Sequence, residues 1–534
     1  MEPTAREPDH AAGRPSSRAL EAIIDALRSP AAYDHPAADI EVIQTHISYV
    51  VLAGAFAYKI KKPLSLGFLD YSTLALRKRM CQEEVRLNRR LCDGVYLGVA
   101  PITRDGARYR VGGAGEVVEY AVLMRRLEHS RMLDEMIRQG ARETASVVHR
   151  VGETMARFHR EAPTNAELSQ YGRLPALEAN WVENVRQLEP YAGALFARSE
   201  LEALDAYGAR RRRDDEGLFT ERADGGRIRD CHGDLRADSV YVRPDGGVCI
   251  LDTIEFNDRI RFGDVAGDIG FLAMDLEFRG RNDLADELMA TYLSAAPDET
   301  LPLVLDYYKT YRAIVRAKVE AMRWSEEEVP MPARADASIA ARRYMTLALA
   351  YASRVARPVL LFMIGLSGTG KSFLAGAIAC RSGAAIVSSD VMRKSVAAGA
   401  DMYSERERAR VYEAMRQRAA GHLSQGRAVI LDATHGRRAQ RDAARELARR
   451  HRVPVVGVEV HAGEDVIRER FAARARMGLS PSDASWDVYV QQRRDFDEIG
   501  EDERDVVHIS MDSGLDGALP AVLAAVEDLP TPQD

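Results

Sequence analysis

A chain of 534 residues with a formal charge of −7, 46% hydrophobic and 29% charged content, is too long for one core and too ordinary in composition for a disordered or fibrous polypeptide. Its five cysteines, Cys81, Cys92, Cys231, Cys249 and Cys380, lack CxxC spacing; this argues against a zinc site and predicts free thiols in a reducing, cytoplasmic setting. The apolar run Val359 to Ile364 has a strand's length, so no membrane span is expected.

In chain order, residues 1–16 lack the apolar core of a signal peptide and are expected to be a disordered tail. A short helix over Ser17–Leu27 precedes strands over Thr45–Leu52, Ala57–Ile60 and Val117–Met124, with a turn at Gly54. Leu74–Leu91 carries apolar residues at helical spacing. The chain holds only eight lysines against a large excess of arginine, yet three of them are Lys59, Lys61 and Lys62. Lysine offers a compact ammonium that meets phosphate as a point charge. A strand lysine fixed by a helix carboxylate is the arrangement that touches the α- and β-phosphates of a nucleotide. Lys59 with Glu84 is the expected pair, and Lys61, on the same strand face at period two, is the reserve.

Ser130–Val355 is expected to be mostly helical, broken by a strand pair around Cys231–Val242 and Val248–Asp252. The run Arg210–Arg213 reads as a solvated helix end or loop. His232-Gly233-Asp234-Leu235 follows one strand and Asp252 closes the next. Two acids so placed suit phosphoryl transfer: one orients or deprotonates an acceptor hydroxyl, the other holds Mg²⁺ on the nucleotide.

Glu326–Ala335, with two prolines, is expected as a loop, followed by a helix over Ser338–Arg354 and a domain boundary at Arg357-Pro358. Beyond it strands (359–364, 384–389, 428–432, 453–460) alternate with helices (371–380, 405–424, 437–450, 464–476), the rhythm of a parallel sheet covered by helices. Gly365-Leu-Ser367-Gly368-Thr369-Gly370-Lys371-Ser372 fits G-x-x-x-x-G-K-[ST] between a strand and a helix. Its amides would cradle phosphates, Lys371 would reach the β/γ-oxygens and Ser372 would ligate Mg²⁺. Asp390 ends the second strand, where a carboxylate can take the proton of an acceptor hydroxyl, and Arg393 lies one turn on, where it can hold an anionic group of the acceptor. Asp432 ends the third strand and can hold Mg²⁺ through water. Arg470 and Arg474 share a helix face suited to charge on a transferring phosphoryl.

HGDL at 232–235, Asp252, GDVAGD at 263–268, YAVLMRRL at 120–127 and the helix ending in ARFH at 156–159 resemble the aminoglycoside phosphotransferase-like kinases over residues 40 to 350. SSDVMRKS, ILDATH and SDAS resemble P-loop kinases related to polynucleotide kinase, zeta-toxin-like and gluconate-kinase-like enzymes over Pro358 to Leu529, with Asp390-x-x-Arg393 nearest the polynucleotide-kinase branch. The combination is similar to the proteins called bifunctional aminoglycoside phosphotransferase/ATP-binding proteins. The resemblance implies an α+β, two-lobed protein-kinase-like domain (lobes 17–128 and 129–356) followed by an α/β P-loop NTPase domain with a parallel sheet (357–530). It implies Asp234 as catalytic base, Asp252 as metal ligand, loop-stabilising roles for Asp264 and Asp268, and an adenine-binding hinge near Met124–Leu127. The family's second metal ligand, an Asn seven residues after the His, is here Ser239, and Arg236 replaces the usual His.

The implied cofactors are ATP, with GTP as the alternative, and Mg²⁺; the implied acceptor is a hydroxyl of a small molecule or nucleotide. Nothing points to an antibiotic in particular. Two other functions compete: a C-terminal 5′-hydroxyl polynucleotide kinase regulated by the N-terminal domain, and an ATP-gated regulator without catalysis. Residues 393–476 carry a net +8 and residues 477–534 a net −11. That basic stretch could track a nucleic-acid backbone, but pairing with the acidic stretch within the chain is the preferred account.

Overall fold

The computed structural model describes residues 17–66, 69–327, 329–354, 357–396, 405–477 and 486–529; the expectations for residues 1–16 and for SDAS lie outside them. The chain divides into two compact units, one of Met1–Ala141 with Cys231–Phe262, the other of Arg142–Asp230 with Gly263–Asp534. Among the described residues no helix is long and apolar enough to cross a membrane.

The first unit is built on a six-stranded antiparallel sheet of β1 (Glu41–Gln44), β2 (Ser48–Ala53), β3 (Phe56–Lys61), β4 (Tyr96–Asp105), β5 (Arg108–Val111) and β6 (Glu116–Arg125), in the order β1-β2-β3-β6-β4-β5. Helix α1 (Ser17–Ala26) adds Leu20, Ile23 and Ile24, and the turn after it Leu27, at helical spacing, to a core with Val51, Ile60, Ile102 and Ala121. The single strand expected over Thr45–Leu52 is instead a turn after β1 followed by β2, because the Thr45 hydroxyl accepts the Ser48 amide at 3.0 Å and reverses the chain. Strands β4 and β5 escaped sequence reading. Gly98 and Pro101 interrupt the apolar alternation of β4, and its pairing with β6 shifts register at Tyr96/Gly98 and Ile102/Thr103. Helix α2 (Leu74–Asn88) is capped by the Thr73 hydroxyl. A short hairpin of β7 (Val240–Val242) and β8 (Val248–Ile250) lies between the HGDL segment and Asp252.

The cysteine expectation needs correction: Cys92 and Cys249 form a disulfide, while Cys81, Cys231 and Cys380 are buried and outside it. Their separation of 157 residues leaves no spacing motif to read. The bridge ties the segment after α2 to β8.

In the second unit, α3 (Thr144–Glu161), α4 (Val265–Phe278), α5 (Asn282–Ala295), α6 (Leu301–Ser325) and α7 (Met331–Ala352) form a helical layer. Helix α7 begins at Met331 rather than Ser338, since a proline is accommodated in a first turn. Arg212 is buried in the 198–214 helix beside the Trp181 ring, 5.6 Å to its centroid, so that part of the arginine run is not a solvated end.

A five-stranded parallel sheet follows: β9 (Leu360–Ile364), β10 (Ala385–Ser388), β11 (Val429–Asp432), β12 (Val455–His461) and β13 (Val506–Ser510), ordered β10-β11-β9-β12-β13. All five residues of β9 are buried: Leu361 and Met363 face one core, Leu360, Phe362 and Ile364 the other. The covering helices include α8 (Lys371–Ser382), α9 (Ser389–Val396), α10 (Glu405–Ser424), α11 (Arg438–Arg450), α12 (Glu464–Met477), α13 (Trp486–Arg494) and α14 (Leu515–Glu527). Sequence reading missed β13, α13 and α14. Arg437, Arg438, Arg441 and Arg445 all pair with carboxylates among Asp495–Asp505, so the basic stretch is neutralised largely within the chain.

Candidate nucleotide and phosphoryl-transfer sites

In the first unit, β3 and α2 bring Lys59 and Glu84 together, Nζ to Oε1 at 2.8 Å, and Lys59 also meets Asp252 Oδ1 at 3.0 Å. Lys61 takes the other oxygen of Glu84 at 2.6 Å, so one carboxylate serves both lysines. Asp252 has a left-handed backbone (φ 63°) and its side chain is 57% exposed, whereas that of Lys61 is 1% exposed. The geometry therefore separates the two lysines: Lys59 faces an open carboxylate and Lys61 is sealed. Burial works against both charges, but Asp252, Glu84 and Glu255 hold Lys59 well above its usual pKa. Burial likewise opposes ionisation of Glu84, and the two ammoniums overcome it and lower its pKa.

The HGDL segment is locked from its backbone outward. His232 Nε2 donates to the Leu251 carbonyl at 2.7 Å, which leaves Nδ1 to accept the Asp234 amide at 3.3 Å. Gly233 has φ 90°, and a Cβ there would press on Ile254 and Arg261, so only glycine suits the turn. Asp234 lies beside the Arg236 guanidinium at 3.4 Å. Ser239 is buried, and its hydroxyl accepts the Arg236 amide at 3.1 Å and donates to the Arg236 carbonyl at 2.7 Å. That hydroxyl staples its own loop. Asn88 links the two halves of the site, donating to the Glu84 carbonyl at 2.8 Å and accepting the Thr253 amide at 3.0 Å. Met124 lies in β6, partly buried against a cluster with Cys81, Val122 and Leu251. In the second unit Asp264 is buried against Arg222, at 2.7 Å, and Asp268 against His159, at 3.0 Å.

The glycine-rich loop joins β9 to α8. Gly365 has φ 132°, and a Cβ there would run into the Val460 carbonyl. Lys371 Nζ donates to the Leu366 carbonyl at 2.7 Å and the Ser367 amide to Gln492 Oε1 at 2.8 Å. Arg470 donates to the Thr369 carbonyl at 2.9 Å and the Met511 carbonyl at 2.7 Å, so it braces the loop on the cavity that it also lines. The Arg474 side chain lies outside the described residues. Asp432 is buried at the end of β11; burial raises its pKa and Asp390 adds to the rise, while the Ser372 hydroxyl and the Lys371 ammonium oppose it. Asp390, in the first turn of α9, accepts Arg393 Nη1 at 3.1 Å.

Lys371, Ser372, Asp390, Arg393, Asp432 and Arg470 line a cavity of about 1310 Å³ together with Gly368 and Gly370. Its lining also takes in Glu221 of the 216–224 helix, Ser294 of α5 and Glu299 between α5 and α6, which have no counterpart in a sequence motif. Sequence reading also missed Gln492, Glu255 and His435, whose positions depend on contacts between distant segments.

Residues 81–303 match the family described as "Phosphotransferase enzyme family" and residues 360–499 the family described as "AAA domain". The uncharacterized proteins Rv2004c of Mycobacterium tuberculosis and Mb2027c of Mycobacterium bovis are each 34% identical to the chain over 483 residues, covering 85% of it and 93% of their own length. Among solved structures, the GDP complex of wild-type aminoglycoside 2′-phosphotransferase-IIIa is 13% identical, covering 62% of this chain and 99% of that one at a TM-score of 0.40. A gluconokinase from Sinorhizobium meliloti is 21% identical, covering 33% and 93% at a TM-score of 0.25.

Proposed function

The chain belongs to one family with these mycobacterial proteins and joins a phosphotransferase domain to a P-loop kinase domain; from that premise we propose a phosphotransferase with two nucleotide sites that uses Mg²⁺ and ATP to phosphorylate hydroxyls of small molecules or nucleotides. The observation that carries this reading is the gathering of Lys371, Ser372, Asp432 and Asp390 on one cavity. A hydroxyl beside a buried carboxylate is a donor set of hard oxygens, which fits Mg²⁺, and the bare glycine backbone leaves room for phosphates. Ser372 and Asp432 would hold the ion there, as Asp252 would in the first unit. Mg²⁺ neutralises charge on the nucleotide phosphates.

The chain's own groups then divide the work. The loop amides and Lys371 grip the phosphates, Asp390 accepts the proton of the acceptor hydroxyl, and Arg393 orients Asp390 and the acceptor. Arg470 keeps the loop in shape. In the first unit Lys59 reaches a phosphate and Asp234 takes the acceptor proton. A second reading, in which the first unit binds nucleotide without catalysis and regulates the other site, draws on the Ser239 hydroxyl, which is already engaged with its own loop. The polynucleotide-kinase reading is weakened by the internal pairing of Arg437, Arg438, Arg441 and Arg445.

Paired variants decide between these. Product formation from labelled ATP with a panel of hydroxyl acceptors should fall at least ~100-fold in Lys371→Ala for acceptors of the P-loop site. Asp234→Ala should abolish a different subset of products. Intact turnover in Lys371→Ala would end the P-loop kinase reading, and an unchanged product list in Asp234→Ala would leave the first unit a regulator.

A further inference from the structure

The first unit contains more ion-pairing machinery than one nucleotide lysine needs. Two ammoniums, Lys59 and Lys61, meet three carboxylates, Glu84, Glu255 and Asp252. Lys61 bridges Glu84 Oε2 and Glu255 with a side chain 1% exposed. Tyr71 donates its hydroxyl to Glu255 Oε1 at 2.6 Å, and its ring centroid lies 4.9 Å from Lys61 Nζ. Neither Lys61 nor Tyr71 has a path to solvent, and desolvating an ion pair of this kind is costly enough that packing alone does not account for it.

What this inner layer does follows from how Glu84 is shared. Left with Lys59 alone, Glu84 would have one buried oxygen without a donor, or would turn both oxygens onto Lys59 and pull it away from the open side. Lys61 occupies Oε2 and leaves Oε1 to Lys59. Lys61 in turn does not draw on Glu84 alone, because Glu255 shares its charge, and Tyr71 fixes Glu255. Lys59 is the outer member: its second partner is the exposed Asp252, so it has one fixed contact and one that can be exchanged.

We propose that Lys61, Glu255 and Tyr71 are positioning residues of the first unit's nucleotide site: they fix Glu84 so that Lys59 is held by one oxygen and can exchange Asp252 for a nucleotide phosphate. The inference rests on the reading of this site as a nucleotide site. Burial would discharge Lys61, but Glu255 and Glu84 outweigh it and keep the ammonium well above its usual pKa. The groups facing Lys61 are Glu84 and Cys81 on α2, Tyr71, Glu255, and Lys59 on its own strand.

The test uses the full chain carrying Lys371→Ala, so that the first unit alone reports, with Mg·ATP binding followed by calorimetry from pH 6 to 10. Binding should be detectable in that background and lost on adding Lys59→Ala. Glu255→Gln, which keeps size and hydrogen bonding, should weaken it about tenfold, the scale of one charge-assisted hydrogen bond; Tyr71→Phe should weaken it less. In Glu255→Gln an alkaline loss of binding should also enter this pH range, because Lys61 loses one of the two carboxylates that keep it charged, while the parent stays flat; a purely structural part would leave the variant flat as well. Detectable binding that ignores both variants, or weaker binding in Glu255→Gln with no alkaline loss by pH 10, overturns the proposal. Absence of binding in the Lys371→Ala background removes the nucleotide site itself, and the proposal with it.

Discussion

His435 shows how a single position couples backbone, burial and pH. It follows β11 with a left-handed backbone (φ 42°), is buried, and donates Nδ1–H to the Met363 carbonyl at 2.7 Å. Burial lowers its pKa to about 4. The unfolded chain therefore takes up this proton near pH 6.5 while the folded chain resists until near pH 4, so stability falls as pH drops through that window. The full effect below pH 4 is about 3 kcal/mol by the linkage relation. His435→Asn tolerates the left-handed backbone and can still donate to Met363. Urea unfolding at pH 7 and pH 5 should show a shallower loss of stability in His435→Asn than in the parent; equal losses would mean that another group sets the pH dependence. Sequence reading saw this residue only as the end of ILDATH, since neither its burial nor its backbone angle leaves a local signature.

Among the elements, α8 is the best place to ask how tightly the P-loop is seated. A Cβ on Gly376 would lie 3.4 Å from Ala290 Cα and 3.5 Å from Leu293 Cβ of α5, ordinary contact distances that leave space for a methyl group and nothing larger. Gly376→Ala should be neutral or stabilising by up to ~1 kcal/mol through helix propensity, while Gly376→Leu should cost ~1–3 kcal/mol by forcing the helices apart. Equal unfolding midpoints for the two variants would show that α5 yields easily. The same helix marks the limit of what sequence can say. Strand β9, the glycine loop and the start of α8 are contiguous, so their apolar run and glycine spacing could be read directly, as could the strand that carries Lys59 and the helix that carries Glu84. The partner of α8 is some eighty positions away, and the Cys92–Cys249 bridge, Glu255 beside Lys61 and Gln492 on the loop likewise depend on tertiary pairing. Strand β4 was lost for a different reason: its bulged register breaks the alternation that a strand search relies on.

At the scale of the molecule, the helical layer and the parallel sheet of the second unit share one core, for Ala290 of α5 sits in the same cluster as Leu361, Met363, Leu374 and Ile378. Charged contacts follow the same seam. Arg381 pairs with Asp286 at 2.6 Å; Glu299 accepts Arg418 at 2.7 Å and His422 at 2.6 Å, and its carbonyl accepts the Ile386 amide at 3.3 Å. Nucleotide gripped by the loop and the first turn of α8 stabilises that helix by mass action. Because α5 is packed along α8, local opening of α5 must disturb the same core and should become rarer when the loop is filled. Hydrogen exchange of the full chain should therefore slow over both Lys371–Ser382 and Asn282–Ala295 when Mg·ATP is added. The Asn282–Ala295 effect should vanish in Lys371→Ala, the background in which only the site proposed for the first unit is left intact. Slower exchange confined to α8 would show that the shared core does not transmit occupancy. Slower exchange of α5 in Lys371→Ala would trace the effect to the other nucleotide site, so the two outcomes separate a coupling built into the second unit from one that begins in the first.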